Sequence, residues 1–147
     1  MALWTKLKSW FGTEKDAERP VHLERGSLGE AAARDFLKAA GLKFLTANFS
    51  CKDGEIDLIF REGETLVFVE VKTRTAGGWT RPSRAVDDRK RRALIRTAKE
   101  YLGMLKDGDA VAYRFDVVEV LLVNGEVSEL RHNRNSFHSK MLRRRRR

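Results

Sequence analysis

The chain has 147 residues, enough for one ordinary domain with a real hydrophobic core. Its one cysteine, Cys51, excludes an intramolecular disulfide and a cysteine-rich metal site, so a reducing, cytoplasmic setting is the default expectation. A net charge of +9 invites a nucleic-acid partner, but residues 27–130 hold 17 Lys/Arg and 17 Asp/Glu, whereas residues 131–147 alone carry +8.

No apolar run approaches the roughly 18 to 20 residues of a membrane-spanning helix, and no small-residue cleavage site follows Met1 to Phe11. Within the neutral portion the charge is uneven: residues 72–96 carry nine basic and two acidic residues. A local positive surface beside an acidic site is the expectation.

Residues 1–25 read as an amphipathic, flexible appendage. Leu3, Trp4, Leu7, Trp10 and Phe11 fall at helical spacing with Lys6 and Lys8 opposite. Such a face orders only against something: its own domain, a partner protein or an anionic membrane surface. A helix is predicted over 28–40. Ser27 and Glu30 fit a capping box and Gly41 a C-terminal stop, with Leu28, Ala32, Phe36 and Ala39 as the apolar stripe.

Three strands follow, over 42–49, 55–61 and 65–73, with turns at Lys52-Asp53-Gly54 and Glu62-Gly63-Glu64. The third is apolar on both faces, the mark of a central strand. Residues 74–82 read as a flexible loop. A helix is predicted over 84–106, with Val86, Leu94, Ala98, Tyr101, Leu102 and Leu105 on its buried face. A strand over 113–123 turns at Asn124-Gly125 into another over 126–130. The order αβββαββ predicts one α/β domain, residues 26–131, with a mixed central sheet flanked by helices. Residues 132–147 read as a basic, disordered tail.

Side chains alternate along a strand. Glu70, Lys72 and Arg74 share a face of the third strand with Leu66 and Phe68; Glu55, Asp57 and Ile59 share a face of the second, with Ile56, Leu58 and Phe60 opposite. Pairing those strands as a hairpin puts Asp57 beside Glu70 and Lys72. Charges amid apolar strands are costly unless paired or metal-bound. Two converging carboxylates suit a hard cation, Mg²⁺ or Mn²⁺, which acidifies water and stabilises charge on a phosphate. Lys72 is placed to orient that water or to stabilise the phosphorane-like state. On spacing alone, a cross-strand salt bridge is the commoner explanation. Two features favour the site: the apolar context of the acids, and the basic segment that follows.

The segments Gly54-Glu55-Ile56-Asp57-Leu58-Ile59 and Phe68-Val69-Glu70-Val71-Lys72-Thr73-Arg74 resemble the signature of the YraN-like family. Gly29-Glu30, Asn48, Ala85-Val86, Lys90 and Arg114-Phe115-Asp116-Val117-Val118 fit the same pattern, and the resemblance spans about residues 26–120. It implies a restriction-endonuclease-like, PD-(D/E)XK fold, distantly similar to archaeal Holliday-junction resolvases. Ile56 stands where that motif has its proline. The implied activity is metal-dependent phosphodiester hydrolysis, in DNA of branched or otherwise special structure. Asp57 and Glu70 would be metal ligands and Lys72 the catalytic lysine. Glu30 joins the metal and catalytic set through the resolvase likeness, against its capping role. A resolvase needs two sites and hence a homodimer.

Arg74, Arg81, Arg84, Lys90, Arg91 and Arg92 are candidate phosphate-positioning residues. Lys90, one turn before Leu94, reads equally as a snorkelling lysine. Asp116 reads as a buried structural hydrogen-bonding residue, His132 as lying outside the core, and Trp79 as a base-stacking or core-covering residue. The competing function is a non-catalytic nucleic-acid-binding module on the same fold.

Overall fold

A computed structural model describes residues 21–75 and 87–137. Helix α1 spans Val21–Ala39. Strands β1 (Lys43–Cys51), β2 (Gly54–Glu62) and β3 (Thr65–Thr75) follow it. Helix α2 spans Asp88–Gly103, a short 3₁₀ turn covers Gly108–Ala110, and β4 (Tyr113–Val123) and β5 (Glu126–Phe137) end the described chain. The order αβββαββ is the one expected. The five strands form one sheet in the order β1-β2-β3-β4-β5. Neighbours are antiparallel except β3 and β4, which are parallel and joined through α2. This is the expected mixed sheet flanked by helices.

Each face of the sheet carries one core. On one side Leu94, Ile95, Ala98, Tyr101 and Leu102 of α2 pack on Leu66, Phe68, Phe115 and Val117. On the other, Ala33 and Leu37 of α1 pack on Leu58, Phe60, Val67, Val69, Val118 and Val120. Among the described residues no helix is long and apolar enough to cross a membrane.

Smaller shifts leave β1 ending at Cys51, β3 at Thr75 and α2 at Gly103, and three larger differences from expectation bear on the site. Helix α1 begins at Val21, so Ser27 lies inside it and cannot cap its start. Its buried stripe is Gly29, Ala33 and Leu37, rotated from the expected one, leaving Leu28 and Phe36 exposed. The cause is a close approach: a Cβ at Gly29 would fall 1.9 Å from Thr73 Oγ1. Only glycine lets the helix backbone ride this near β3. The stop at Gly41 holds. Gly41 has φ +97°, its N–H donates to Lys38 O, and Leu42 N–H donates to Leu37 O, a Schellman closure.

Helix α2 starts at Asp88, capped by Asp87, whose side chain accepts from Lys90 N–H at 2.9 Å. Val86 and Arg84 lie outside the described residues. The third difference is β5. The turn at Asn124 (φ 52°) and Gly125 (φ 77°) is as predicted, but the strand runs on to Phe137, so residues 132–137 belong to the sheet. Its polar sequence suits an edge strand. Phe137 anchors its end, stacked on Phe115 at 4.7 Å between ring centroids.

Candidate active site

The pairing of β2 with β3 stops at Leu58–Val69, although β2 stays paired with β1 to Gly54 and β3 with β4 to Thr75. The two strands therefore separate at Asp57. Alternation also breaks there: Ile56 and Ile59, three residues apart, both enter the α2-side core, whereas Ile56 was expected on the other face. Asp57 turns into the gap, where its Oδ2 accepts the Val71 N–H at 2.8 Å. A backbone donor that the separated ladder would leave unsatisfied is thus held by a carboxyl group.

Glu70 lies across the gap on the α2 face, 4% exposed. Its Oε1 takes Lys90 Nζ at 2.5 Å from the first turn of α2 and stands 4.0 Å from Lys72 Nζ on its own strand. Glu30 approaches from α1, immediately after the Gly29 contact with Thr73. The acids act on one another: burial first, then the charge of Glu70, pushes the Asp57 carboxyl up to about 8. The Val71 hydrogen bond opposes the shift, and Glu30 adds to it. Burial, and next the charge of Lys90, hold Lys72 below the ordinary lysine range against the pull of Glu70. Lys90 goes the other way: burial lowers it, but the hydrogen bond and charge of Glu70 outweigh burial and raise it.

Asp57, Glu70, Lys72 and Lys90 thus meet where the strands open, and Glu30 of α1 acts on Asp57 through its charge. Among the described residues no three of His, Cys, Asp and Glu stand close enough to form a ready-made cage for a metal ion. The donor set nonetheless fits a hard divalent cation in kind, because it is all oxygen and its acids repel. Lys90 offsets the charge of Glu70, and burial with the charge of Glu70 favours the protonated form of Asp57.

The other candidates divide. Arg74 continues the Glu70–Lys72 face, its Nε 3.7 Å from Glu119 Oε1. Arg91 lies over the Phe137 ring at 5.5 Å and pairs with Asp88 at 3.8 Å. Arg92 is exposed on α2. Arg81, Arg84 and Trp79 lie outside the described residues.

Glu119 went unnoticed in the sequence. It is fully buried on β4, opposite Lys72 in register, with its Oε2 accepting from Asn133 Nδ2 at 3.3 Å. The signal was present: an acid within the apolar run Val117-Val118-Glu119-Val120, the same cue that marks Asp57 and Glu70. Asp116, on the α1 face, is a hydrogen-bonded structural residue as expected. It accepts from Arg114, His132 and the Asn135 N–H. His132, expected outside the core, stands in β5 with its Nε2 2.8 Å from Asp116 Oδ2 and its ring edge-on to Phe36.

Comparison with known proteins places this geometry in a family. The model of the uncharacterised protein family UPF0102 matches residues 29–120, which include Glu30, Asp57, Glu70, Lys72 and Lys90. A UPF0102 protein of Caldicellulosiruptor saccharolyticus is 45% identical over 115 residues, 78% of this chain and 97% of that one. One from Geotalea daltonii is 45% identical over 112 residues, 76% and 87% of the two chains. Among solved structures, "Structure of EndoMS-dsDNA2 complex" is similar with a TM-score of 0.33 and 18% identity; this chain is covered over 76% of its length and spans 40% of that one.

Proposed function

We propose that this chain, which belongs to the uncharacterised protein family UPF0102, is a metal-dependent nuclease that hydrolyses phosphodiester bonds in nucleic acid. The observation that carries the reading is the strand separation at Asp57, where two acids and two lysines meet and the charge of a third acid, Glu30, is felt. A strand pair gains nothing structural by opening around repelling carboxylates. A phosphodiesterase gains a charged, solvent-reachable seat for a cation and a phosphate.

Asp57, Glu70 and Glu30 would hold Mg²⁺ or Mn²⁺. The bound cation would supply Lewis acidity at a phosphate oxygen and a lowered pKa for water. The residues do the rest. Lys72, 32% exposed and 4.0 Å from Glu70, presents a fixed positive charge where negative charge develops on the phosphate. The Val71 N–H holds the Asp57 carboxyl in the gap. Arg74, Lys90, Arg91 and Arg92, with Arg81 and Arg84 of the same basic segment, position backbone phosphates without reading bases. The signature resemblance to the resolvase-like proteins favours DNA with branches or other special structure as substrate.

The test is a cleavage screen of the full chain on single-stranded, duplex, flapped and four-way-junction DNA and on RNA, with Mg²⁺ or Mn²⁺. D57N serves as the disabled control. Metal-dependent cleavage by the wild type but not by D57N is the expected result. The Lys90–Glu70 ion pair favours the rival reading, a binding module whose carboxylates are permanently neutralised. Tight nucleic-acid binding without cleavage on any substrate would decide for it.

A further inference from the structure

Two demands meet at one carboxylate. Glu70 Oε1 takes the Lys90 ammonium at 2.5 Å, yet the same carboxylate is proposed as a metal ligand. An ammonium this close and a divalent cation on the same carboxylate would repel each other strongly in a buried site. Lys90 is built to leave. Its backbone is fixed, its N–H held by Asp87 at the helix start, while its side chain is long and 45% exposed. Lys72, the other ammonium near Glu70, sits on the central strand β3.

We propose that Lys90 is the counter-ion of the metal-free site and a phosphate ligand of the loaded one. Cation binding at Glu70 displaces the ammonium, which then engages a phosphate of the bound nucleic acid. This rests on the metal-dependent nuclease reading. Lys90 thereby makes metal and nucleic acid favour each other's binding, and by linkage the effect is reciprocal. Its removal has two opposite consequences: metal binds more tightly and nucleic acid gains less from metal.

The experiment is calorimetric titration of Mn²⁺ into the full-length wild type, K90M and K99M. Lys99, exposed further along α2, controls for the general loss of one positive charge. K90M should bind Mn²⁺ more tightly, within the roughly 5- to 150-fold range usual for coupled sites, and K99M should match wild type. Anisotropy with a phosphorothioate duplex should show that Mn²⁺ raises duplex affinity less in K90M than in wild type. K90Q repeats both measurements in case K90M folds poorly.

Mn²⁺ affinity equal to or weaker than wild type in K90M and K90Q overturns the proposal and leaves the nuclease reading standing. So does an undiminished effect of Mn²⁺ on duplex affinity. A wild type that binds no Mn²⁺ overturns both.

Discussion

Two aspartates in the strands on either side of β3 met opposite fates. Asp116 is fully buried, yet Arg114 donates to both its oxygens at 3.0 and 3.3 Å, the Asn135 N–H donates at 2.9 Å and His132 stands at 2.8 Å. Burial works against its charge, but those partners outweigh burial and lower its pKa. The network extends through Arg114 to Glu62, which Arg134 also grips at 2.6 Å. Burial, and then the charge of neighbouring acids, outweigh the single Val71 N–H that Asp57 accepts, so its carboxyl rises to about 8. Burial of a charge is common to both, and so does not by itself mark a site. Satisfaction of the charge separates them: the Asp116 cluster is closed on itself, and the acids of the Asp57 cluster still raise one another's cost of ionisation.

The largest expected effect separates chemistry from stability. K72A should bind Mn²⁺ and nucleic acid but lose cleavage by about 10² to 10³-fold, as for other fixed transition-state charges, with its melting temperature unchanged. Wild-type turnover in single-turnover kinetics would reduce Lys72 to a salt-bridge partner. D116A should do the reverse. It leaves Arg114 and His132 without their shared acceptor and should cost about 3 kcal/mol in denaturant unfolding. A loss under 1 kcal/mol would break the claim that this cluster is structural.

Gly29 tests how α1 delivers Glu30. G29A forces a methyl against Thr73 and should cost about 1 to 3 kcal/mol. T73A in the same chain should recover part of that in thermal melting. No recovery would show that the strain lies elsewhere.

The smallest effect is a difference in sign with pH. The raised Asp57 pKa means that the folded, metal-free chain binds this proton more tightly than the unfolded chain does. The stability it contributes is full below the ordinary 3.8, falls as pH rises, and is gone above about 8. Asp116, with its lowered pKa, contributes above the ordinary 3.8 and loses that on acidification. Wild type should therefore lose stability relative to D57N between pH 5 and 8 in chelator. Parallel curves for the two proteins would contradict the assigned environment of Asp57.

Much of this was legible in the sequence, and the exceptions have physical causes. The strands were readable because β2, β3 and β4 are dense in β-branched and aromatic residues bounded by glycine turns. The acids stood out against that apolar background. The rotation of α1 was not readable, because it depends on a contact between Gly29 and Thr73 that pattern alone does not reveal. The end of β5 was missed because an edge strand facing water carries the composition of a tail. The Asp57 gap follows from a break in pairing that strict alternation cannot anticipate. Lys90 was placed near the site by helical spacing, but only the assembled layers bring its ammonium to Glu70.

On the proposed reading the Asp57 cluster, and not the Asp116 cluster, takes a divalent cation. Thermal melting with increasing Mn²⁺ tests it on wild type, E70Q and D116N, since a ligand that binds only the folded chain raises its stability with concentration. Wild type and D116N should gain the same increment, D116N from a lower starting point, and E70Q should gain little or none. An undiminished gain in E70Q, or a gain abolished in D116N alone, would contradict the account.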